Sequence, residues 1–279
     1  MTDSEAALVA RLRAAGCVFA EQEAALLLAA DPAELETMVR RRVAGEPLEH
    51  VLGWVEFFGR RVAIGPGVFV PRPRTEFLVR EVAARSGPGA VVLDLCCGSG
   101  AVGLALADAI GAAELHSTDL DPAAVACARE DVLNSPSLPN QESPATAPKH
   151  ARSAIAPSRH VYQGDLFEPL PNKLQGRVDI LIAITPYVPH DDIDLLPREA
   201  RLHEPLSTLD GGADGLDLLR RVLREAGRWL APTGLLATEV SEQQAATVMH
   251  LAAAEGLLAE VIRDEEADAT VVIARPGYG

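Results

Sequence analysis

Val92-Leu-Asp-Leu-Cys-Cys-Gly-Ser-Gly-Ala-Val-Gly-Leu-Ala-Leu-Ala107 is the stretch that decides the fold. An apolar run carries an acid at Asp94, passes through a glycine turn and continues into an Ala/Leu-rich helical pattern. That order spells a strand, a tight loop and a helix. Gly98 and Gly100 tolerate backbone angles and a close approach that a Cβ would forbid, so a ligand can lie against the main chain at a helix N-terminus. About 20 residues on, the next apolar segment ends in Asp119, where an acid reaches ribose hydroxyls in dinucleotide folds.

No Lys follows the glycines, as a nucleoside-triphosphate loop would need. An acid at Asp94, facing the loop, suits a ligand with a cationic amino-acid end better than a pyrophosphate. S-adenosylmethionine (SAM) is such a ligand. Asp121-Pro122 reads as a helix N-cap with proline in the first turn, which leaves Asp119 as the ribose acid.

Strand and helix alternate on either side of this motif. Candidate strands are 90–95, 114–119, 160–164, 178–184, 234–240, 258–263 and 270–275, with helices at 102–109, 122–132, 214–230 and 243–255. The pattern predicts an α/β fold, a Rossmann-like, seven-stranded, mostly parallel sheet covered on both faces, whose last two strands form an antiparallel edge hairpin. Residues 1–54 read as a small helical unit. Leu8, Val9 and Leu12 make one stripe and Leu35, Met38 and Val39 another, with Asp31-Pro32 as a start signal and Gly45 as a stop. Residues 55–76 read as a linking hairpin of two short strands around the turn Gly65-Pro66-Gly67, and residues 77–279 as the ligand-binding domain. Residues 135–158, rich in Pro, Ser, Ala and Asn, interrupt that domain as an insertion without apolar periodicity.

Composition narrows the function. Hydrophobic residues make up 48% and charged residues 23% of 279, ordinary for a globular protein. The acidic start Met1-Thr-Asp-Ser-Glu and the lack of any long apolar run make the cytoplasm the expected location, with no membrane partner. A net charge of −15 argues against affinity built on nucleic-acid phosphates; Arg40-Arg41-Arg42 and Arg60-Arg61 read as solvated positions. Cys17, Cys96, Cys97 and Cys127 show neither metal nor disulfide spacing, and no metal site is expected.

Taken in order, several further motifs resemble the HemK/PrmC family of class I SAM-dependent methyltransferases, which modify the side-chain amide of a glutamine in translation release factors. They are Gly45-Glu46-Pro47-Leu48, Val70-Pro71-Arg72-Pro73-Arg74-Thr75-Glu76, Asp94 to Gly100, Gln163-Gly164-Asp165-Leu166-Phe167, Glu204-Pro205, Asp210-Gly211-Gly212, Asp214-Gly215-Leu216-Asp217, and Glu239 with Gln243. The resemblance implies SAM as cofactor and S-adenosylhomocysteine as product, with a release factor docked by the helical unit. It implies cofactor contacts from Asp94, Cys96, Gly98, Ser99, Gly100, Asp119, Leu120, Asp165 and Leu166. It puts Arg72, Thr75, Glu76 and Glu239 on the substrate side and Ile184, Thr185, Pro186 and Tyr187 at the catalytic position.

Two motifs depart from the family pattern. Arg74 replaces the middle Glu of Pro-Arg-Pro-Glu-Thr-Glu, and Ile184-Thr185-Pro186-Tyr187 stands where the family has Asn-Pro-Pro-Tyr. In the family that Asn, with a neighbouring carbonyl, holds the two amide N–H groups and aims the nitrogen at the methyl. Ile184 has no side-chain acceptor, and an unpaired buried N–H costs ~1–3 kcal/mol. Three readings stay open: glutamine methylation supported by Thr185 and main-chain carbonyls, a different nucleophile such as a small-molecule amine, or SAM binding without transfer.

Overall fold

The computed structural model describes residues 3–134 and 158–277. Of the sequence-predicted insertion at 135–158, only Ser158 lies inside them.

Four helices open the chain: α1 (Asp3–Ala14), α2 (Ala20–Leu28), α3 (Leu35–Val43) and α4 (Leu48–Leu52). Leu8, Leu12, Ala24, Leu27, Met38, Val39 and Val51 interlock in a core of their own. Asp31 starts a turn as expected, its Oδ1 accepting the Ala33 N–H at 2.9 Å, but regular helix begins only at Leu35. Arg42, almost buried, ties α3 to Glu23 of α2 at 2.7 Å and reaches Glu199 of the second unit at 3.1 Å.

The hairpin is real, but its turn is not where the sequence suggested. Strands β1 (Trp54–Phe57) and β2 (Arg60–Ala63) pair around Phe58-Gly59, not around Gly65-Pro66-Gly67. Phe58 and Gly59 both adopt positive φ, +51° and +71°, which is the geometry a two-residue hairpin turn demands. Pro66 has no N–H to offer a ladder, and Val68–Val70 run on as irregular chain whose Val68 and Val70 still enter the core.

Helix α5 (Glu76–Ala84) then leads into the sheet. The remaining elements are β3 (Val91–Leu95), α6 (Ala101–Ile110), β4 (Glu114–Asp119), α7 (Pro122–Asn134), β5 (Ser158–Gln163), β6 (Val178–Ala183), α8 (Arg198–His203), α9 (Asp217–Trp229), β7 (Leu230–Glu239), α10 (Glu242–Ala254), β8 (Leu257–Asp264) and β9 (Ala269–Pro276). The seven strands β3–β9 order as β5-β4-β3-β6-β7-β9-β8. β3–β7 run parallel, and β9 joins antiparallel between β7 and β8. This is the expected α/β, seven-stranded, mostly parallel sheet.

β3 is buried throughout and β6 at every position but Asp179, and both read as near-continuous apolar runs, as strands covered on both faces do. Val92, Leu104, Ile180 and Ile182 belong to one apolar layer and Leu93, Leu181, Leu219 and Leu223 to the other. Strand order reverses between β3 and β6, and at such a switch point the chain ends diverge to leave a crevice at the C-terminal edge. That edge carries Asp94, Asp119, Asp165 and Ile184.

Candidate active site

The loop after β3 is built around a buried acid. Asp94 is 1% exposed, and its Oδ2 accepts the Gly103 N–H at 3.0 Å. A Cβ on Gly103 would sit 2.5 Å from that oxygen, so only glycine lets the first turn of α6 reach the carboxylate. Gly98, Gly100 and Gly103 hold the complete Gly-x-Gly-x-x-Gly spacing of a dinucleotide loop, and the buried Asp94 is what sets this loop apart from a pyrophosphate cradle. Gly100 (φ +79°) packs against α7, where a Cβ would lie 2.7 Å from Val132. At Gly98 (φ +55°) an added Cβ would meet nothing within 4 Å, which is the open backbone a ligand needs.

Asp119 closes the other side. Its Oδ2 accepts the Gly98 N–H at 2.8 Å and its Oδ1 the Asp121 N–H at 2.9 Å. Each oxygen keeps a second lone pair for a ligand hydroxyl. Asp121 itself caps α7, accepting the Ala123 N–H at 2.7 Å. Ser99 Oγ and Thr118 Oγ1 are buried without a hydrogen-bond partner among the described residues, and such orphaned groups need explaining. Burial raises the acids: Asp94 is pushed up to about 7, chiefly by desolvation against a lowering hydrogen bond from Gly103, and Asp119 is raised for the same first reason. A cation placed beside them offsets that desolvation. Open glycine backbone, a two-oxygen acid for vicinal hydroxyls and buried carboxylates for a positive group together fit an adenosyl sulfonium donor.

The remaining expected cofactor residues divide. Leu120 is 67% exposed beside Asp119, an apolar surface that an adenine ring can cover. Asp165 follows β5 and is already bound through Oδ2 to Arg221 at 2.7 Å, so one carboxylate oxygen remains for a ligand. Leu166 turns its side chain into the core with φ +48°. Cys96 also has positive φ, and burial pushes its thiol and that of Cys97 well up, so both stay protonated.

The residues expected on the acceptor side lie at the end of β6. Ile184 is half-buried against the apolar layer of β3 and α6. Thr185 is 2% exposed, and its hydroxyl makes no hydrogen bond to any described residue. Pro186 and Tyr187 are held from behind by a glycine-rich loop. A Cβ on Gly211 would come 2.5 Å from the Pro186 oxygen, and Gln244 Nε2 donates to the Tyr187 carbonyl at 2.8 Å and to that of Asp214 at 2.9 Å. The Tyr187 hydroxyl donates to Glu239 Oε1 at 3.2 Å and accepts from an Arg74 Nη2–H. Glu239, 3% exposed, also takes Arg74 Nε at 2.9 Å and the Thr75 hydroxyl at 2.7 Å. Burial, with Glu239 adding to it, pushes the Tyr187 phenol up to about 12, so it remains a neutral donor.

Arg72 and Glu76 have structural partners. Arg72 donates to both oxygens of Glu204, at 2.6 and 2.7 Å, and stacks over Phe69. Glu76 accepts the Phe58 N–H at 2.9 Å and so fastens the hairpin turn. Two residues bonded to expected site residues escaped the sequence reading. Arg221 has no local motif to mark it. Gln244 did have a signal, since Ser241-x-x-Gln244 is a capping box that the structure realises, whereas the family-like Gln243 is exposed. Among the described residues no cluster of His, Cys, Asp and Glu could hold a metal ion, and no helix is long and apolar enough to cross a membrane.

Known proteins bear on this geometry. The model of the methyltransferase small domain matches residues 61–140. The release factor glutamine methyltransferase of Gloeobacter violaceus is 36% identical over 224 residues, which cover 79% of this chain and 71% of that protein. The chain belongs to the release factor glutamine methyltransferase family. Within that family of SAM-dependent methyltransferases, relatives differ in acceptor. The 4-amino-L-phenylalanine/4-methylamino-L-phenylalanine methyltransferase of Streptomyces pristinaespiralis is 33% identical over 225 residues, covering 78% of this chain and 69% of that protein. A methyltransferase structure from Pyrococcus furiosus superposes with a TM-score of 0.56 at 14% identity, over 87% of this chain and all of that one, which shows the shared fold.

Proposed function

We propose that the chain binds SAM across the C-terminal ends of β3, β4 and β5 and transfers its methyl group to a nitrogen acceptor lying beside Ile184-Thr185-Pro186-Tyr187. The observation that carries this reading is Asp119, which receives Gly98 and Asp121 backbone N–H groups on separate oxygens and so presents a fixed, two-oxygen acceptor at the mouth of the glycine loop. When bound, the sulfonium supplies an activated methyl carbon. The chain's own residues then align and desolvate. Asp119 would hold the ribose, Leu120 would cover the base, and the free oxygen of Asp165 would take the adenine amine, with Arg221 fixing that carboxylate. Asp94 sits beneath the loop as a counter-charge. An in-line displacement needs the nucleophile held along the C–S axis, and alignment of this kind lowers the barrier more than acid–base chemistry does. Tyr187, fixed by Arg74, Glu239 and Gln244, is the wall that aligns it.

The helical unit α1–α4, with its own core, is the element for docking a protein acceptor such as a release factor. Binding of S-adenosylhomocysteine by calorimetry tests the cofactor half, and absence of any binding overturns it. Incubation with labelled SAM and a release factor tests the acceptor half, read as label on a glutamine.

Ile184 favours a second reading of the acceptor. An amide nitrogen is a poor nucleophile that needs its N–H groups held, and Ile184 has nothing to hold them with. An amine needs no such clamp, and the relative from Streptomyces pristinaespiralis is named for methylating an amine on a free amino acid. Unmodified release factor beside a methylated small amine selects this reading.

A further inference from the structure

Arg74, one of the two departures from the family pattern, is tethered and yet not used up. Nε and Nη2 are engaged by Glu239 and Tyr187, whereas Nη1 has no partner among the described residues. The side chain is 38% exposed. Together with Tyr187 and Glu239 it walls a cavity of about 350 Å³ that extends beyond the end of β7 to the β8–β9 turn. The rest of the lining is net acidic: Asp264, Glu265 and Asp268 lie on the turn, and Arg263 is paired with Glu242. Asp268 is exposed and makes no hydrogen bond with the described residues.

A guanidinium pinned by two partners presents its third nitrogen in a fixed direction, and it takes a carboxylate through short, charge-assisted hydrogen bonds. A simple anion would be repelled by the carboxylates of the turn. A ligand with an anion at one end and a cation about one carbon away satisfies both groups. We propose that this cavity receives the α-amino acid head group of the methyl acceptor, its carboxylate on Arg74 Nη1 and its ammonium towards the β8–β9 turn, so that a side-chain amine reaches the transfer position beside Ile184 and Thr185. The acceptor is then a free amino acid bearing an amine at the far end of its side chain. The inference rests on the second reading of the acceptor given above. In the transfer an N–C bond forms as the C–S bond breaks, its electron pair stays on sulfur, and the nitrogen releases one proton to water.

The departures at Arg74 and Ile184 then have one explanation. Ile184 removes the clamp for an amide, and Arg74 adds a receptor for a carboxylate that an internal glutamine of a protein does not possess. An acid at position 74, as in the family pattern, would repel that carboxylate.

The test is calorimetric binding to the full chain saturated with S-adenosylhomocysteine, using three probes: 4-amino-L-phenylalanine, its carboxamide, and a tripeptide with that residue in the middle and both ends blocked. The amino acid is expected to bind at least about tenfold tighter than the carboxamide or the peptide, the ratio that one charge-assisted contact supplies. Arg74→Gln is expected to bring the amino acid and the carboxamide to equal affinity, and Arg74→Lys to keep part of the difference. Equal binding of amino acid and carboxamide by the wild type, tight binding of the blocked peptide, no binding of any probe, or discrimination surviving in Arg74→Gln each overturns the inference. S-adenosylhomocysteine affinity read in the same titrations separates the two levels. A wild type that holds the cofactor product without discriminating the probes defeats this inference alone, whereas one that does not bind it defeats the proposed function.

Discussion

Arg74 and Glu239, 165 positions apart in the chain, meet at 2.9 Å and join the segment that follows the hairpin to the end of β7. Glu239 is nearly buried and Arg74 is not, so the contact is neither a surface ion pair nor a fully desolvated one. Removing the guanidinium leaves a desolvated carboxylate held by Thr75 and Tyr187 alone. Arg74→Met is expected to destabilise the protein by ~1–3 kcal/mol, below the cost of breaking a wholly buried pair because water reaches the Arg side. In Arg74→Met combined with Glu239→Gln, part of that loss returns. Urea denaturation of the two variants checks both statements.

Asp94 makes stability and cofactor affinity depend on pH in opposite directions. Burial lifts its folded-state value to about 7, against an unfolded value of 3.8. Between those limits the folded state holds a proton that the unfolded chain has lost. Its contribution to stability is therefore full below about 4 and is lost as pH rises through about 7. A cationic ligand prefers the ionised form, so SAM binding tightens over the same interval. Asp94→Asn flattens both profiles, and melting temperatures with titrations between pH 5 and 8 report them.

Gly103→Ala places a methyl group 2.5 Å from Asp94 Oδ2. The methyl group would also lie 2.9 Å from the Cβ of this buried residue, and overpacking of this sort costs ~1–3 kcal/mol. Weaker binding of S-adenosylhomocysteine accompanies the loss, because the loop is what moves. Gly98→Ala meets open space, so its penalty comes from the positive φ and from intrusion into the ligand's place. A cofactor titration distinguishes the two: Gly98→Ala is expected to lose affinity with less loss of stability than Gly103→Ala.

Ile184→Asn restores the family's amide acceptor at the end of β6. The expectation is new or increased label on release-factor glutamine with labelled SAM, and a melting temperature lowered by the polar group set against the β3–α6 apolar layer. The gain is larger when combined with Arg74→Glu, which restores the second family residue. A double variant that labels glutamine no better than the wild type would mean the clamp is not what position 184 supplies.

Much of this was legible in the sequence because it was local. β3, its glycine turn and α6 follow from residues 92–107, and Asp119 from the end of the next apolar run. The capping of α7 by Asp121 was readable for the same reason. The hairpin turn was misplaced since Gly65-Pro66-Gly67 carries the louder turn composition, while Phe58 adopts positive φ against its own preference, with Glu76 accepting its N–H. The network around Tyr187 was only half legible. Arg74 and Tyr187 stand out in their motifs, but the bonds joining them to Glu239 and Gln244 span many elements. The motif carrying Asp165 stands out and its partner Arg221 does not, because nothing within α9 distinguishes one solvent-side arginine from another.

The central claim, that the bend after β3 with Asp119 cradles an adenosyl sulfonium donor, is tested most directly by titrating S-adenosylhomocysteine into the wild type and Asp119→Ala by calorimetry. The account predicts one site per chain in the wild type. Losing the contacts of two hydroxyls with the carboxylate is expected to weaken binding at least about a hundredfold in the variant. Heat-silent wild type with no shift in melting temperature, or equal affinity in the two proteins, would contradict it.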